Sequence, residues 1–318
     1  HLTDRLLQLG WRVRLIDARL DVTRVAALPD QVEFYNLSLS RTRQVLEAIA
    51  GSDVCIHLIH NSRPNVRVTH PVEDIGEVIL PTVDLLLGLP SASLRNFIYV
   101  SSGGTVYGKA PRLPVREDAP LAPISPYGLA KLALEVHTRR ICREKAINAI
   151  ILRPGNLYGA AWFRERPQGA VEVFLRQILR GLPLHVLGDG SVVRDYLYIG
   201  DAVEAVIRVL GHPAPATWNL GSGQGRSVLE LIALLERMTG GKAIVRHLPP
   251  SPEDVPASVL DFSRLQAATG WRPQVSLEEG IARMLAGITH LEYRGLPVGR
   301  LPVDATAEAG RGPGQHIT

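Results

Sequence analysis

Ser125-Pro126-Tyr127-Gly128-Leu129-Ala130-Lys131 sets a phenol and an ammonium four residues apart. Ser125 suits a helix cap and Pro126 a first helical turn, so Tyr127 and Lys131 fall at i and i+4 on one face. A lysine charge held beside a phenol favours the phenolate and is expected to draw the Tyr127 pKa towards neutrality. The pair then makes a general base for a hydroxyl group. Any single Tyr-x-x-x-Lys is more often an ordinary surface pair. Lysine is scarce here, however: only Lys109, Lys131, Lys145 and Lys242 occur among 35 basic residues, the rest being arginine.

Other segments keep it company. Val100-Ser101-Ser102-Gly103-Gly104-Thr105-Val106-Tyr107-Gly108 is a hydroxyl-rich turn after an apolar run. The carboxyl end of a strand is where open α/β sheets place ligands. Leu152-Arg153-Pro154-Gly155-Asn156-Leu157-Tyr158-Gly159 follows another such run, and Gly188-Asp189-Gly190-Ser191-Val192-Val193-Arg194-Asp195-Tyr196 precedes a helix expected near Asp201.

These segments need elements to hold them. Apolar runs at Arg12–Ile16, Val54–Ile59, Phe97–Ser101, Ala149–Arg153 and His185–Leu187 read as strands buried on both faces of a parallel sheet. Between them, helical patterns cover Leu2–Gly10, Thr42–Ala50, Ile75–Leu87, Pro126–Lys145 and Val171–Arg180. Strand and helix in alternation predict a doubly wound parallel α/β sheet. After Pro213 the pattern predicts a strand at Trp218–Leu220, a helix at Leu229–Met238, a strand at Ala243–His247, a proline-rich link at Leu248–Pro256 and a helix at Leu277–Ala286. Residues beyond about Glu292, rich in Gly, Pro and Ala, read as a disordered tail.

The ordered segments resemble the extended short-chain dehydrogenase/reductases that act on nucleotide sugars. Trp218-Asn219-Leu220-Gly221-Ser222-Gly223 and Thr269-Gly270-Trp271-Arg272-Pro273 extend the likeness, which spans roughly residues 1–287. It implies a Rossmann-type sheet with a smaller C-terminal α/β substrate domain. Residues 1–157 would bind NAD, 158–191 and 217–290 the nucleotide sugar, and 192–216 would return to the first domain.

The resemblance also implies roles. Tyr127 would be the catalytic tyrosine and Lys131 its partner, which also meets the nicotinamide ribose; Ser102 or Thr105 would supply a catalytic hydroxyl. Asp17 would hold the adenosine ribose 2′-hydroxyl, favouring NAD over NADP. Leu58, His60, Ser101 and Pro154 would line the cofactor. Ser102, Asn156, Gln168, Val171, Arg194 and Asp254 would meet the substrate, Arg194 by gripping the diphosphate. Backbone N–H groups entering the helix after Gln168 could meet phosphate or uracil. The implied reaction is 4-epimerisation of a UDP-sugar through transient C4 oxidation. The implied state is a homodimer.

Departures from the pattern matter. The family's Gly-x-x-Gly-x-x-Gly turn is expected just before His1 and does not occur in the 318 residues, so His1 reads as a truncation point. Gly103 stands four positions before Tyr107, where a Ser or Thr is usual; Val78 and Pro81 replace an Asn and a Gly; Ser251 replaces the arginine ahead of Asp254. A 4,6-dehydratase would need an Asp-Glu pair where Gly104 and Thr105 stand. A reductase of the same fold, or a non-catalytic nucleotide-sugar-binding homologue, are the rival readings.

Composition bounds the rest. Hydrophobic residues make up 46% and charged residues 21%, as in a globular protein, and no apolar stretch or leader suggests a membrane or secretory segment. Arginine is scattered without interleaved aromatics, which argues against nucleic acid. Cys55 and Cys142 have no disulfide or metal-ligand spacing and read as free thiols in a cytoplasmic protein. His57 reads as structural, and Trp162–Arg166 as a loop near the substrate cleft.

Overall fold

The computed structural model describes residues 1–18, 20, 29–59, 72, 75–159 and 169–293. The chain opens with helix α1 (Leu2–Gln8), strand β1 (Val13–Ile16), strand β2 (Val32–Tyr35), helix α2 (Thr42–Ile49) and strand β3 (Val54–His57). A π-helical turn (Ile75–Ile79) leads into α3 (Leu80–Gly88), then β4 (Asn96–Val100), the short α4 (Gly103–Val106), α5 (Pro126–Glu144) and β5 (Asn148–Pro154). The remainder runs β6 (Asn156–Tyr158), α6 (Ala170–Leu179), β7 (Pro183–Leu187), β8 (Val193–Tyr198), α7 (Ile199–Val209), β9 (Ala216–Leu220), β10 (Gly225–Ser227), α8 (Val228–Thr239), β11 (Ile244–Leu248), β12 (Ala257–Ser258), α9 (Ser263–Thr269) and α10 (Leu277–Tyr293).

The parallel sheet expected from the apolar runs is present, in order β3-β4-β5-β9. Successive side chains point to opposite faces, so each strand feeds two cores. Phe97, Tyr99 and Ile151 pack with Val45, Leu85, Leu134 and Cys142 on one side. Ile98, Ile150 and Leu152 pack with Leu6, Val206, Trp218 and Trp271 on the other. Both faces carry helices, and the strands between them are almost wholly apolar for that reason.

A second unit is organised around β7 and β11, which pair in parallel, with Phe174, Leu175, Leu231, Leu235 and Ile281 among its buried residues. Strand β8 pairs with β6, β10 and β12 and carries Arg194 and Asp195.

Two differences from the sequence reading are instructive. Strand β2 was not expected, because Glu33 interrupts its apolar run. It is an edge strand, and Glu33 stands opposite Arg14 and takes a 3.0 Å bond from it. Second, β1 pairs with β2 alone and β3 with β4 alone among the described residues, so the sheet is in two parts. A cavity of about 750 Å³ lies between them, lined by Arg14 to Ala18 on one side and Val54 to Ile59 on the other. Leu9, expected on the buried side of α1, is exposed. Among the described residues no helix is long and apolar enough to cross a membrane. The expected tail lies outside the described residues from residue 294 onward.

Candidate functional site

The Ser125 side chain accepts the Gly128 amide at 3.1 Å, and Pro126 fills the first turn of α5, so the helix begins where the sequence implied. Tyr127 and Lys131 then lie one turn apart, beside the carboxyl ends of β4 and β5. Tyr127 shares a side-chain hydrogen bond with Ser102, the residue that precedes α4. Lys131, 3% exposed, donates to the Val100 carbonyl at 2.8 Å. Its ammonium sits 5.2 Å from the Tyr99 ring centre and 5.8 Å from that of Tyr127.

The expected lowering of the Tyr127 pKa is not found. Burial pushes the phenol up to about 12, with the Ser102 bond opposing. The lysine is the group moved towards neutrality: burial brings it down to about 8, against the pull of Glu135. The physical reason is that the ammonium is spent on a carbonyl rather than on the phenol, and removing both groups from water disfavours both charges.

The hydroxyl turn explains the glycine that departs from the family pattern. A Cβ on Gly103 would meet Leu260 Cδ1 at 2.5 Å and the Arg153 carbonyl at 2.8 Å. No side chain fits there. Ser102 reaches Tyr127 instead, while the buried hydroxyls of Ser101, Thr105 and Tyr99 have no hydrogen-bond partner among the described residues. Asn156 is close by, its Oδ1 3.7 Å from where a Gly104 Cβ would stand. Pro154 ends β5, buried.

Asp17 and Leu58 follow β1 and β3 directly and line the same cavity. His57, on that wall too, is buried against Phe97 and Tyr99; burial and then the Lys131 charge bring its pKa down to about 3. It is a neutral ring in the core. His60, Gln168 and Trp162–Arg166 lie outside the described residues.

Arg194 and Asp254 are brought together: Arg194 Nη2 donates to Asp254 Oδ1 at 2.5 Å, and Nη1 to the carbonyls of Val255 (2.6 Å) and Val193 (2.9 Å). Ser251, at the expected arginine position, contributes its carbonyl to the Asp254 amide at 3.1 Å. The Val171 side chain is buried in the second core, which removes it from any substrate contact through its side chain. The first turn of α6 also carries the buried Glu172, which accepts the Gly159 amide at 2.8 Å. No side chain caps the first amides of α6 among the described residues.

Sequence reasoning gave no role to two buried carboxylates. Glu135, a further turn along α5 from Lys131, is fully buried and holds Arg153 through two bonds, 2.9 and 2.7 Å. Its signal was the continued four-residue spacing Tyr127, Lys131, Glu135. Asp195, also fully buried, accepts from Ser222 N and Oγ, Gly223 N and Leu260 N, tying β8 to the Gly221-Ser222-Gly223 turn. It falls in the Gly188–Tyr196 segment quoted above, where Arg194 alone was given a role.

The sequence profile of the NAD dependent epimerase/dehydratase family matches residues 1–221. A UDP-glucose 4-epimerase of Mycolicibacterium smegmatis is 32% identical over 289 residues, covering 89% of this chain and 92% of its own. A dTDP-4-dehydro-6-deoxyglucose reductase of Escherichia coli is 30% identical, covering 82% and 86%. A solved UDP-glucose 4-epimerase of Thermus thermophilus, in complex with NAD, superimposes with a TM-score of 0.82 at 29% identity, covering 91% of this chain and 94% of that one.

Proposed function

The chain belongs to the NAD dependent epimerase/dehydratase family, and within it we propose that it is a UDP-sugar 4-epimerase. The observation that carries this reading is the Tyr127–Ser102 hydrogen bond, with Lys131 one turn away, at the carboxyl ends of β4 and β5.

The residues present fit NAD. Asp17 and Leu58 line one cavity of about 750 Å³, and Ser101 and Thr105, whose buried hydroxyls have no partner among the described residues, lie on the segment after β4. Asp17 would hold the adenosine ribose, Lys131 the nicotinamide ribose, and Pro154 would flank the ring. When bound, NAD supplies the acceptor and the donor of the C4 hydride.

Tyr127 takes the proton of the C4 hydroxyl, and Ser102 aims the phenol and shares the proton. At rest the phenol is protonated, so its base form depends on the Lys131 charge on the same helix face. Arg194, held flat by Asp254 and two carbonyls, presents its remaining edge to the diphosphate. The enclosed position of these groups excludes water and holds the reacting atoms at contact distance. The unit comprising 158–191 and 217–290 would seat the nucleotide sugar. Exposed Leu80 and Leu87 on α3, with Leu129 and Val136 on α5, repeat every seven residues and support association of two copies.

The test is conversion between UDP-glucose and UDP-galactose with NAD added. Tyr127→Phe should lower turnover at least about 100-fold, the usual contribution of a general base, while leaving UDP-glucose binding intact. Retention of a tenth of the rate would remove Tyr127 from that role. The E. coli relative makes a reductase the second reading. It predicts stoichiometric consumption of NADH with a 4-keto sugar, where an epimerase consumes none.

A further inference from the structure

A carboxylate one turn beyond a lysine on a helix ordinarily pairs with it. Lys131 and Glu135 have that spacing and are both buried, yet no ion pair joins them among the described residues. Glu135 instead takes two guanidinium groups: the fork of Arg153 at 2.9 and 2.7 Å, and Arg139 at 2.6 Å. Arg153 is 2% exposed. An ion pair buried so completely brings little net stability, so its presence directs attention to what it holds in place.

Arg153 touches both halves of the site. Its Nη1 donates to the Tyr107 hydroxyl at 2.8 Å, and Tyr107 donates to Asn219 Oδ1 at 2.6 Å. Its carbonyl lies against Gly103, beneath the turn that presents Ser102. Through Glu135 it grips α5 one turn past Lys131. One residue on β5 thus touches the Ser102 turn with its carbonyl and the Tyr127 helix with its side chain.

We propose that Arg153 and Glu135 are a positioning pair: Arg153 keeps the Glu135 carboxylate away from Lys131, and the same carboxylate, at a distance, keeps Lys131 charged in a buried site. This rests on the reading of Tyr127 and Lys131 as the acid–base pair. The direction of the electrostatics agrees, since Glu135 raises the Lys131 pKa against burial. The groups that bear on Lys131 are Glu135 and Tyr127 from α5, Tyr99 from β4 and His57 from β3. Those on Glu135 are Arg139 from α5, Arg153 from β5, Tyr99 from β4 and Tyr107, which follows α4.

With four lysines in the chain, the Lys131 signal is separable by selective ¹³C-lysine labelling and assigned by its loss in Lys131→Met. Titration of the full 318-residue protein reads its protonation without any turnover. In Glu135→Gln the midpoint should fall by about one pH unit or more, as expected when a charge one helical turn away is removed from a site of low effective dielectric. In Arg153→Met it should rise, because a buried positive charge is lost and Glu135 Oε1, with only Arg139 left on Oε2, is released towards the ammonium. A purely structural pair would lower melting temperature in both variants and leave the midpoint unmoved, which would overturn the proposal. Should either single variant fail to fold, Glu135→Leu with Arg153→Met replaces the pair by apolar groups and is expected to recover stability. A lowered midpoint in that double variant supports the proposal, and an unchanged one overturns it. If Tyr127→Phe retained turnover while these midpoints still moved, the reaction assignment would fail and the positioning of Lys131 would stand.

Discussion

Lys131 stands one helical turn beyond Tyr127, yet its ammonium donates to the carbonyl of Val100, 2.8 Å away, and not to the phenol. The carbonyl is the last of β4, so the lysine also ties α5 to the strand that leads into the hydroxyl turn. Ser102, at the start of that turn, is the group that meets Tyr127. The tyrosine meets a hydroxyl, and the Lys131 ammonium stands 5.8 Å from its ring centre.

Ser102 and Gly103 should therefore behave oppositely to what their alignment suggests. Ser102→Ala is expected to lower kcat by roughly tenfold or more with little change in melting temperature, since it removes one hydrogen bond to the base. Gly103→Ser should not raise kcat. Its Cβ would press on Leu260 and on the Arg153 carbonyl, at 2.5 and 2.8 Å, so the melting temperature should fall. A faster, equally stable Gly103→Ser enzyme would show that the hydroxyl belongs at position 103.

Arg194→Ala should weaken binding of UDP itself about tenfold, because a charge-assisted bond to phosphate contributes about 1.5–3 kcal/mol. The loss should shrink at high salt. The variant also strands Asp254 and the carbonyls of Val193 and Val255, so a stability loss is expected alongside. Arg194→Lys, which keeps the charge, should recover part of the UDP affinity. Calorimetry showing unchanged UDP binding in the alanine variant would take Arg194 out of the site.

His57 should make the fold acid-sensitive. Its folded pKa lies near 3 against an ordinary value of 6.5, so the unfolded chain takes up the proton first. Stability contributed by the neutral ring is present above about pH 6.5 and is lost as pH falls towards 3, with an upper limit of roughly 5 kcal/mol. His57→Leu should flatten the difference between urea midpoints measured at about pH 7 and about pH 4. Equal acid sensitivity in the variant would show that other groups govern the loss.

The main sheet and its helices were legible because strands buried on both faces must be apolar throughout, and Phe97–Ser101 and Ala149–Arg153 are nearly so. Strand β2 was hidden by Glu33 and strand β8 by Arg194 and Asp195, charged residues whose partners are distant in the chain and visible only once it has folded. The positions of Tyr127 and Lys131 followed from helix spacing alone, but their ionisation did not. Burial and the direction of an ammonium depend on the neighbours, here Val100 and Ser102. Glu135 shared that spacing and was overlooked because its partner, Arg153, is supplied by another strand.

The division of the sheet between β1 and β3 has a mechanical consequence. Asp17 rides on the β1–β2 ribbon, whereas Tyr127, Lys131 and Ser102 are anchored to β4 and β5. No ladder of backbone hydrogen bonds couples the two pieces among the described residues; Val45, Ala48 and Ile49 of α2 line the cavity between them. Amides of Val13–Ile16 should exchange with solvent well before those of Phe97–Tyr99. Asp17 and the Tyr127–Lys131 pair thus stand on different strand ladders.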